Sequence, residues 1–183
     1  MTPTENLKSE HNDILELLKI MSKIAESIKS NDVFYPNDVE EIIDFLKHFI
    51  EKSHHGKEEV FYTELISTGV PKENESLSIM KYEHVLIRNY LKDINSCVEN
   101  CKIGNSFSGV FLADSLTNYV VLMTNHIKKE EEIIYPLAES ELSKAKLIDI
   151  SKEFERIEEK IIHHGFHDHY HKLVEKLQSK YSD

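Results

Sequence analysis

The chain has 183 residues, with 33 acidic against 22 basic side chains, a formal net charge of −11 and 40% hydrophobic content. That length allows a single domain with a sizeable core. The acidic excess argues against a nucleic-acid partner, since phosphate binding needs clustered lysine and arginine. Only five glycines and four prolines punctuate the chain, which favours long helices over a many-stranded sheet.

The first helix is expected from about Thr4 to Ser30, with Leu7, His11, Ile14, Leu15, Leu18, Met21 and Ile28 at helical spacing. Asn31, Asp32 and Pro36 end it, and Asn37 with Glu40 reads as a capping box opening a second helix that runs to about Ser67. After Gly69, Pro71 and Asn74 a third helix covers about Ser76 to Cys101, and a fourth about Val110 to Leu137. A fifth runs from about Glu141 to Tyr181, with a break near Gly165. Short connections between amphipathic helices favour antiparallel neighbours. The expected fold is all-α: an up-down antiparallel four-helix bundle over about 4–139 with an additional C-terminal helix over about 141–181, the whole forming one domain.

Residues 1–6 show neither a basic nor an apolar targeting region, and no apolar run approaches the roughly 18 residues needed to span a membrane. A cytoplasmic protein without a membrane partner is expected, as monomer or homodimer. Cys97 and Cys101, four apart, fit neither a disulfide framework nor a zinc motif and read as free, partly buried thiols.

One phrase occurs twice. Glu10-His11 is followed 43 residues after its histidine by His54-His55-Gly56-Lys57-Glu58, and Glu83-His84 is followed 42 residues on by His126-Ile127-Lys128-Lys129-Glu130. The copies are offset by 73 residues at the first histidine and by 72 at the second histidine and the glutamate. His54 and Glu58, like His126 and Glu130, are four apart, which stacks them on one helix face. His11 and His84 sit in apolar stripes that turn them inward. A lone histidine on such a face is usually a hydrogen-bonded core residue, and a lone His/Glu pair is usually a surface pair. Six matched residues are harder to explain that way, because burying two unpartnered carboxylates costs several kcal/mol each.

Four imidazoles and two carboxylates are too many ligands for one tetrahedral zinc. They suit two six-coordinate ions bridged by the carboxylates, of iron or manganese type, in a bundle core. His11, His54, Glu58, His84, His126 and Glu130 are the candidate metal ligands. His55, about 100° around the helix from His54, is a further ligand or a neighbour of the site.

The ordered set His11, His54-x-x-x-Glu58, His84, His126-x-x-x-Glu130 resembles the hemerythrin-like superfamily, the HHE cation-binding domains, from Leu7 to about Ala138. The run 129–137, Lys-Glu-Glu-Glu-Ile-Ile-Tyr-Pro-Leu, is similar to the family's signature after its fourth-helix histidine. The resemblance implies a non-haem centre of two Fe ions, with Mn or Zn as alternatives. Its oxygen carriers place a further histidine four residues after the third-helix one and an aspartate five after the fourth-helix one. Arg88 and Glu131 stand there in this chain, so the set is closer to iron-sensing, iron-repair and stress-related members.

Five of the eleven histidines lie in 163–171. His163, His167 and His171 would share a face of an unbroken helix. His167 is a candidate fifth nitrogen ligand or proton donor beside the metals, against the plainer reading of a solvated polar helix. Tyr62, Tyr82, Tyr119 and Tyr135 are candidates to line the pocket, with core packing as the plainer role. Two function classes stay open. One is a binding module for a small ligand (O2 or NO), or for iron sensing and stress response. The other is an enzyme (peroxidase, oxidase or NO-handling) or an iron donor for cluster repair.

Overall fold

The computed structural model describes residues 1–30, 34–71, 74–104, 108–161 and 166–181, without the side chains of 166–169. Helix α1 is Pro3–Lys29. Thr2 closes a capping box on it: its hydroxyl accepts from the Glu5 amide at 3.2 Å, and the Glu5 carboxylate accepts from the Thr2 amide at 2.7 Å. Helix α2 covers 36–67 in three parts, α-helical Pro36–Phe45, π-helical Leu46–His54 and α-helical His55–Ser67. Helix α3 is Glu75–Lys102, capped by the Asn74 side chain on the Leu77 amide. Helix α4 covers 108–141, as Ser108–Lys129, a π-helical Glu130–Ile134 and Tyr135–Glu141. Helices α5, Lys144–Ile161, and α6, Phe166–Tyr181, complete the chain. Among the described residues there is no strand, and no helix is long and apolar enough to cross a membrane.

Two details differ from the sequence reading. Helix α2 is not opened by a box of Asn37 and Glu40. Tyr35 is its N-cap without a side-chain hydrogen bond, and Pro36 occupies the first turn, where its fixed φ and missing N–H fit a helix start. The single C-terminal helix is two helices, α5 and α6; the expected break at Gly165 falls within 162–165, outside the described residues, as does Asn31-Asp32. Gly69, at φ +109°, takes the left-handed turn after α2, and its amide donates to Ile66.

Cross-helix pairs fix directions. Along α1 and α4, His11 meets Glu131 while Lys29 meets Asp114 and Thr117, so the two run antiparallel. Along α2 and α3, Glu40 meets Lys102, Lys47 meets Asn95, Glu51 meets Arg88 and Glu58 meets His84, again antiparallel. Helix α3 packs on α4. The C-terminal pair bridges α1 and α2: Tyr170 donates to the Asp13 carbonyl of α1 and stacks on Phe45 of α2, and Tyr181 donates to Asp38.

Among the described residues the interior has two apolar clusters. The larger gathers Ile14 to Ala25 of α1, Val39 to Ile50 of α2, Ile87 to Val98 of α3, Leu112 to Ile127 of α4 and Tyr170 to Tyr181 of α6. The smaller joins Leu7, Phe61, Tyr62, Leu65, Leu77, Met80, Ile134, Tyr135, Ile150 and Phe154. Along α1, α2 and α3 the candidate ligands fall between the residues of these two clusters, and along α4 His126 and Glu130 flank Ile127, the last residue of the larger cluster on that helix. A polar layer thus lies across an apolar interior, and both π segments adjoin it.

Candidate metal centre

All six expected ligands are brought together, each at most 2% exposed. Glu58 turns one oxygen each way: Oε1 lies 2.9 Å from His54 Nε2 and 3.9 Å from His11 Nε2, while Oε2 accepts from His84 Nε2 at 3.1 Å. Glu130 does the same, with Oε2 3.2 Å from His11 Nε2 and Oε1 3.5 Å from His126 Nε2. Each carboxylate therefore spans from the α1–α2 histidines to a histidine of α3 or α4. Two overlapping donor groups result, His11, His54, Glu58 and Glu130, and His55, Glu58, His84 and His126, the atoms within each lying within 4.8 Å of one another.

The donor atoms fit a cation. His54 Nε2, Glu58 Oε1, His126 Nε2 and Glu130 Oε2 are buried and make no hydrogen bond, although close partners are present. Nitrogen and oxygen 2.9 Å apart but out of hydrogen-bond alignment are what two groups aimed at a common third point would show. Leaving such atoms unsatisfied in a protein interior is unfavourable, and buried charges are normally paired or coordinate a metal.

The outer ring nitrogens are held by a second tier of carboxylates. His54 Nδ1 lies 2.8 Å from Glu10, His126 Nδ1 3.0 Å from Glu83 and His11 Nδ1 2.8 Å from Glu131. Glu10 in turn pairs with Lys57, and Glu83 with Lys129. This carboxylate backing fixes imidazole orientation and raises ligand basicity. Two phenols reach the same layer: Tyr62 donates to Glu130 Oε1 at 2.6 Å, and the Tyr135 hydroxyl is 3.1 Å from His11 Nε2.

The electrostatics follow from burying acids with bases. Burial alone would favour neutral imidazoles, but the facing carboxylates win: His11 is pushed up to about 9 by Glu130 and Glu58, and His54 up to about 10 by Glu58 and Glu10. Against its own desolvation, Glu58 is held well below the usual carboxylate range by His54, His11 and His84. Without metal, protons on His11 and His54 supply positive charge beside the buried carboxylates. His55 goes the other way, down to about 4, through burial and then the neighbouring His84. Burial, with Glu130 and Glu58 next, pushes the Tyr62 hydroxyl well up, so it stays a donor.

Other candidates separate cleanly. Tyr82 does not line the centre; it is 63% exposed, because its position on α3 faces away from the bundle. Tyr119 is buried in the larger apolar cluster. His48 is exposed and donates to the Asp44 carbonyl within its own helix. Cys97 and Cys101 are free and partly buried. His163 and His164 lie outside the described residues, as do the side chains of His167 and His169, while His171 is exposed on α6.

Sequence reading passed over Glu10, Glu51, Glu83, Glu131, Lys57 and Lys129. The repeat held a signal for four of them: a glutamate precedes both His11 and His84, and a lysine follows both His54 and His126 by three. It also held one for the phenols. Tyr62 is four residues after Glu58 and Tyr135 five after Glu130. The π turn Glu130–Ile134 closes on i→i+5 rather than i→i+4, which accommodates the extra residue and lets both tyrosines reach the same layer.

Searches of curated proteins and of solved structures found no match. The family description "Hemerythrin HHE cation binding domain" matches residues 2–138, which contain every described donor above. The chain belongs to the hemerythrin HHE cation-binding domain family.

Proposed function

We propose that this protein holds two metal ions, iron in the first instance, in the core of a single domain built as an up-down four-helix bundle, and uses them to bind a small diatomic ligand, O2 or NO, or to sense iron in a stress response. His11, His54, Glu58, His84, His126 and Glu130 would hold the ions, with Glu58 and Glu130 shared by histidines of different helices. The observation that carries this reading is that both buried carboxylates offer their two oxygens to different histidines. Imidazole and carboxylate together suit iron and manganese, and zinc is the alternative. The antiparallel cross-helix pairs of α1 with α4 and of α2 with α3 support the bundle topology.

When bound, iron supplies the redox-active ligand position. The chain's own residues orient it: Glu10, Glu83 and Glu131 fix three imidazoles, and Tyr62 holds Glu130 through its hydroxyl. The same phenols favour a second reading, a di-iron peroxidase or oxidase, because two buried O–H donors lie within hydrogen-bond distance of ligand atoms.

Metal analysis of protein purified without oxygen tests the proposal, followed by optical spectra before and after O2, NO and peroxide. Two irons per chain with a reversible change on O2 or NO supports the binding module. Steady consumption of peroxide moves the case to the enzyme. One zinc and no iron refutes the dinuclear reading.

A further inference from the structure

His54 and His55 are adjacent, and both are buried. On an ordinary helix adjacent side chains diverge, and one of the two would leave the interior. Here they stay inside and divide between the two donor groups. The His54 ring centroid lies 4.9 Å from that of His11, whereas the His55 ring stacks on His84 at 4.0 Å and meets His126 edge-on at 5.8 Å. The π-helical stretch ends at His54, so the change of helix type falls between the two residues of the pair.

We propose that His55 is a fifth imidazole ligand, completing the ion position surrounded by Glu58, His84 and His126, and that Glu51 orients its ring. This rests on the dinuclear reading above and deepens it. Three observations carry it. A ring nitrogen of His55 falls within 4.8 Å of donor atoms of Glu58, His84 and His126. Neither of its nitrogens makes a hydrogen bond, although the residue is 1% exposed. And Glu51 Oε1 stands 3.3 Å from Nδ1, as Glu10, Glu83 and Glu131 stand behind His54, His126 and His11, which leaves Nε2 for an ion. Arg88 of α3, 3.4 Å from the other Glu51 oxygen, holds that carboxylate in place.

The consequence is an asymmetric centre. In the second copy of the repeat Ile127 stands where His55 stands in the first, so no corresponding nitrogen serves the other ion. One position takes His11 and His54, the other takes His55, His84 and His126, and the two carboxylates are shared.

The test uses the full chain loaded with cobalt(II) without oxygen, cobalt being counted by elemental analysis. Proton NMR then counts the paramagnetically shifted, exchangeable ring N–H signals, one for each coordinating imidazole. The expected result is two cobalts and five such signals. In His55→Ala one signal is lost, and the second cobalt binds at least about tenfold more weakly. Four signals with two cobalts in the unmutated protein overturns the role of His55 and leaves the dinuclear centre standing. Fewer than two cobalts overturns both, and the metal count tells the two failures apart. The unmutated count decides even if His55→Ala does not fold. Glu51→Gln is expected to keep all five signals and move one of them.

Discussion

Lys57 and Lys129 occupy matching places in the repeat, each three residues after a candidate ligand histidine and each paired to the glutamate behind it. Their surroundings differ. Lys57 is completely buried, its ammonium held by Asn6, Glu10 and Glu158 and lying 5.6 Å from the Phe154 ring. Lys129 keeps 36% of its side-chain surface. Lys57→Met keeps the apolar stem and removes the charge. Breaking a buried pair from one side costs about 3–5 kcal/mol, because the surviving charge is left in the interior. Glu158, 38% exposed, can rehydrate and Glu10 keeps His54, so about 3 kcal/mol is expected. Lys129→Met should cost about 1 kcal/mol or less, as for a partly solvated pair. At roughly 2–4 °C per kcal/mol for a chain of this size, the first lowers Tm by roughly 6–12 °C and the second by no more than about 4 °C. Melting followed by circular dichroism in chelator keeps metal out of the comparison. Glu158→Gln added to Lys57→Met should do little more, since their shared contact is already gone. Equal shifts for the two lysine variants would refute the claim that cover by α5 makes the first pair strong.

Metal should raise Tm over chelator-treated protein by roughly 5–11 °C at a free ion concentration 100 times Kd, from about 2.7 kcal/mol of linkage, and no change on titrating iron(II) argues against a core site. Tyr62→Phe leaves a buried Glu130 oxygen without its donor and should cost about 1–3 kcal/mol in chemical denaturation, whereas Tyr82→Phe on the exposed face of α3 should stay within about 0.5 kcal/mol. Gly56→Ala should stabilise by about 0.5–1 kcal/mol, since the added Cβ would sit 3.9 Å from Ile157 Cγ2, an ordinary contact, and alanine favours the helix; a loss of stability would show the site too tight. In metal-free protein His11 and His54 are raised to about 9 and about 10 from 6.5, so their stabilising contribution is complete below about 6.5 and disappears as pH rises through 9–10. Denaturant midpoints should therefore fall over that range without metal, and a flat profile would contradict the assignment.

Most of the fold was legible because periodicity and scarce breakers report helices directly. What periodicity does not carry is the hydrogen-bond pattern within a helix. The π segments at Leu46–His54 and Glu130–Ile134 leave no mark on an apolar stripe, although the repeat's shift from 73 to 72 hinted at a one-residue adjustment. The α2 start was misread because Asn37 and Glu40 have the spacing of a capping box, while Pro36 had already opened the helix. That these six His and Glu side chains belong to one buried cluster was legible from repetition, which no surface pair has reason to show. Glu51 was not, since Met123 stands at its place in the other copy, and the role of Glu131 was hidden because its counterpart Glu59 is exposed.

The departures between the two copies bear on function more than the matches do. Both supply Glu-His, His-x-x-Lys-Glu and a tyrosine, and these build the shared carboxylate layer. Only the first has a second histidine, and only the first places its lysine under the C-terminal helices. Through Lys57, Glu158 of α5 is joined to Glu10, and through Glu10 to His54. A change in α5 should thus be felt at His54 and not at His126, whose carboxylate is served by the half-buried Lys129. The duplicated core makes two similar donor groups, and the sequence outside the duplication makes them unequal.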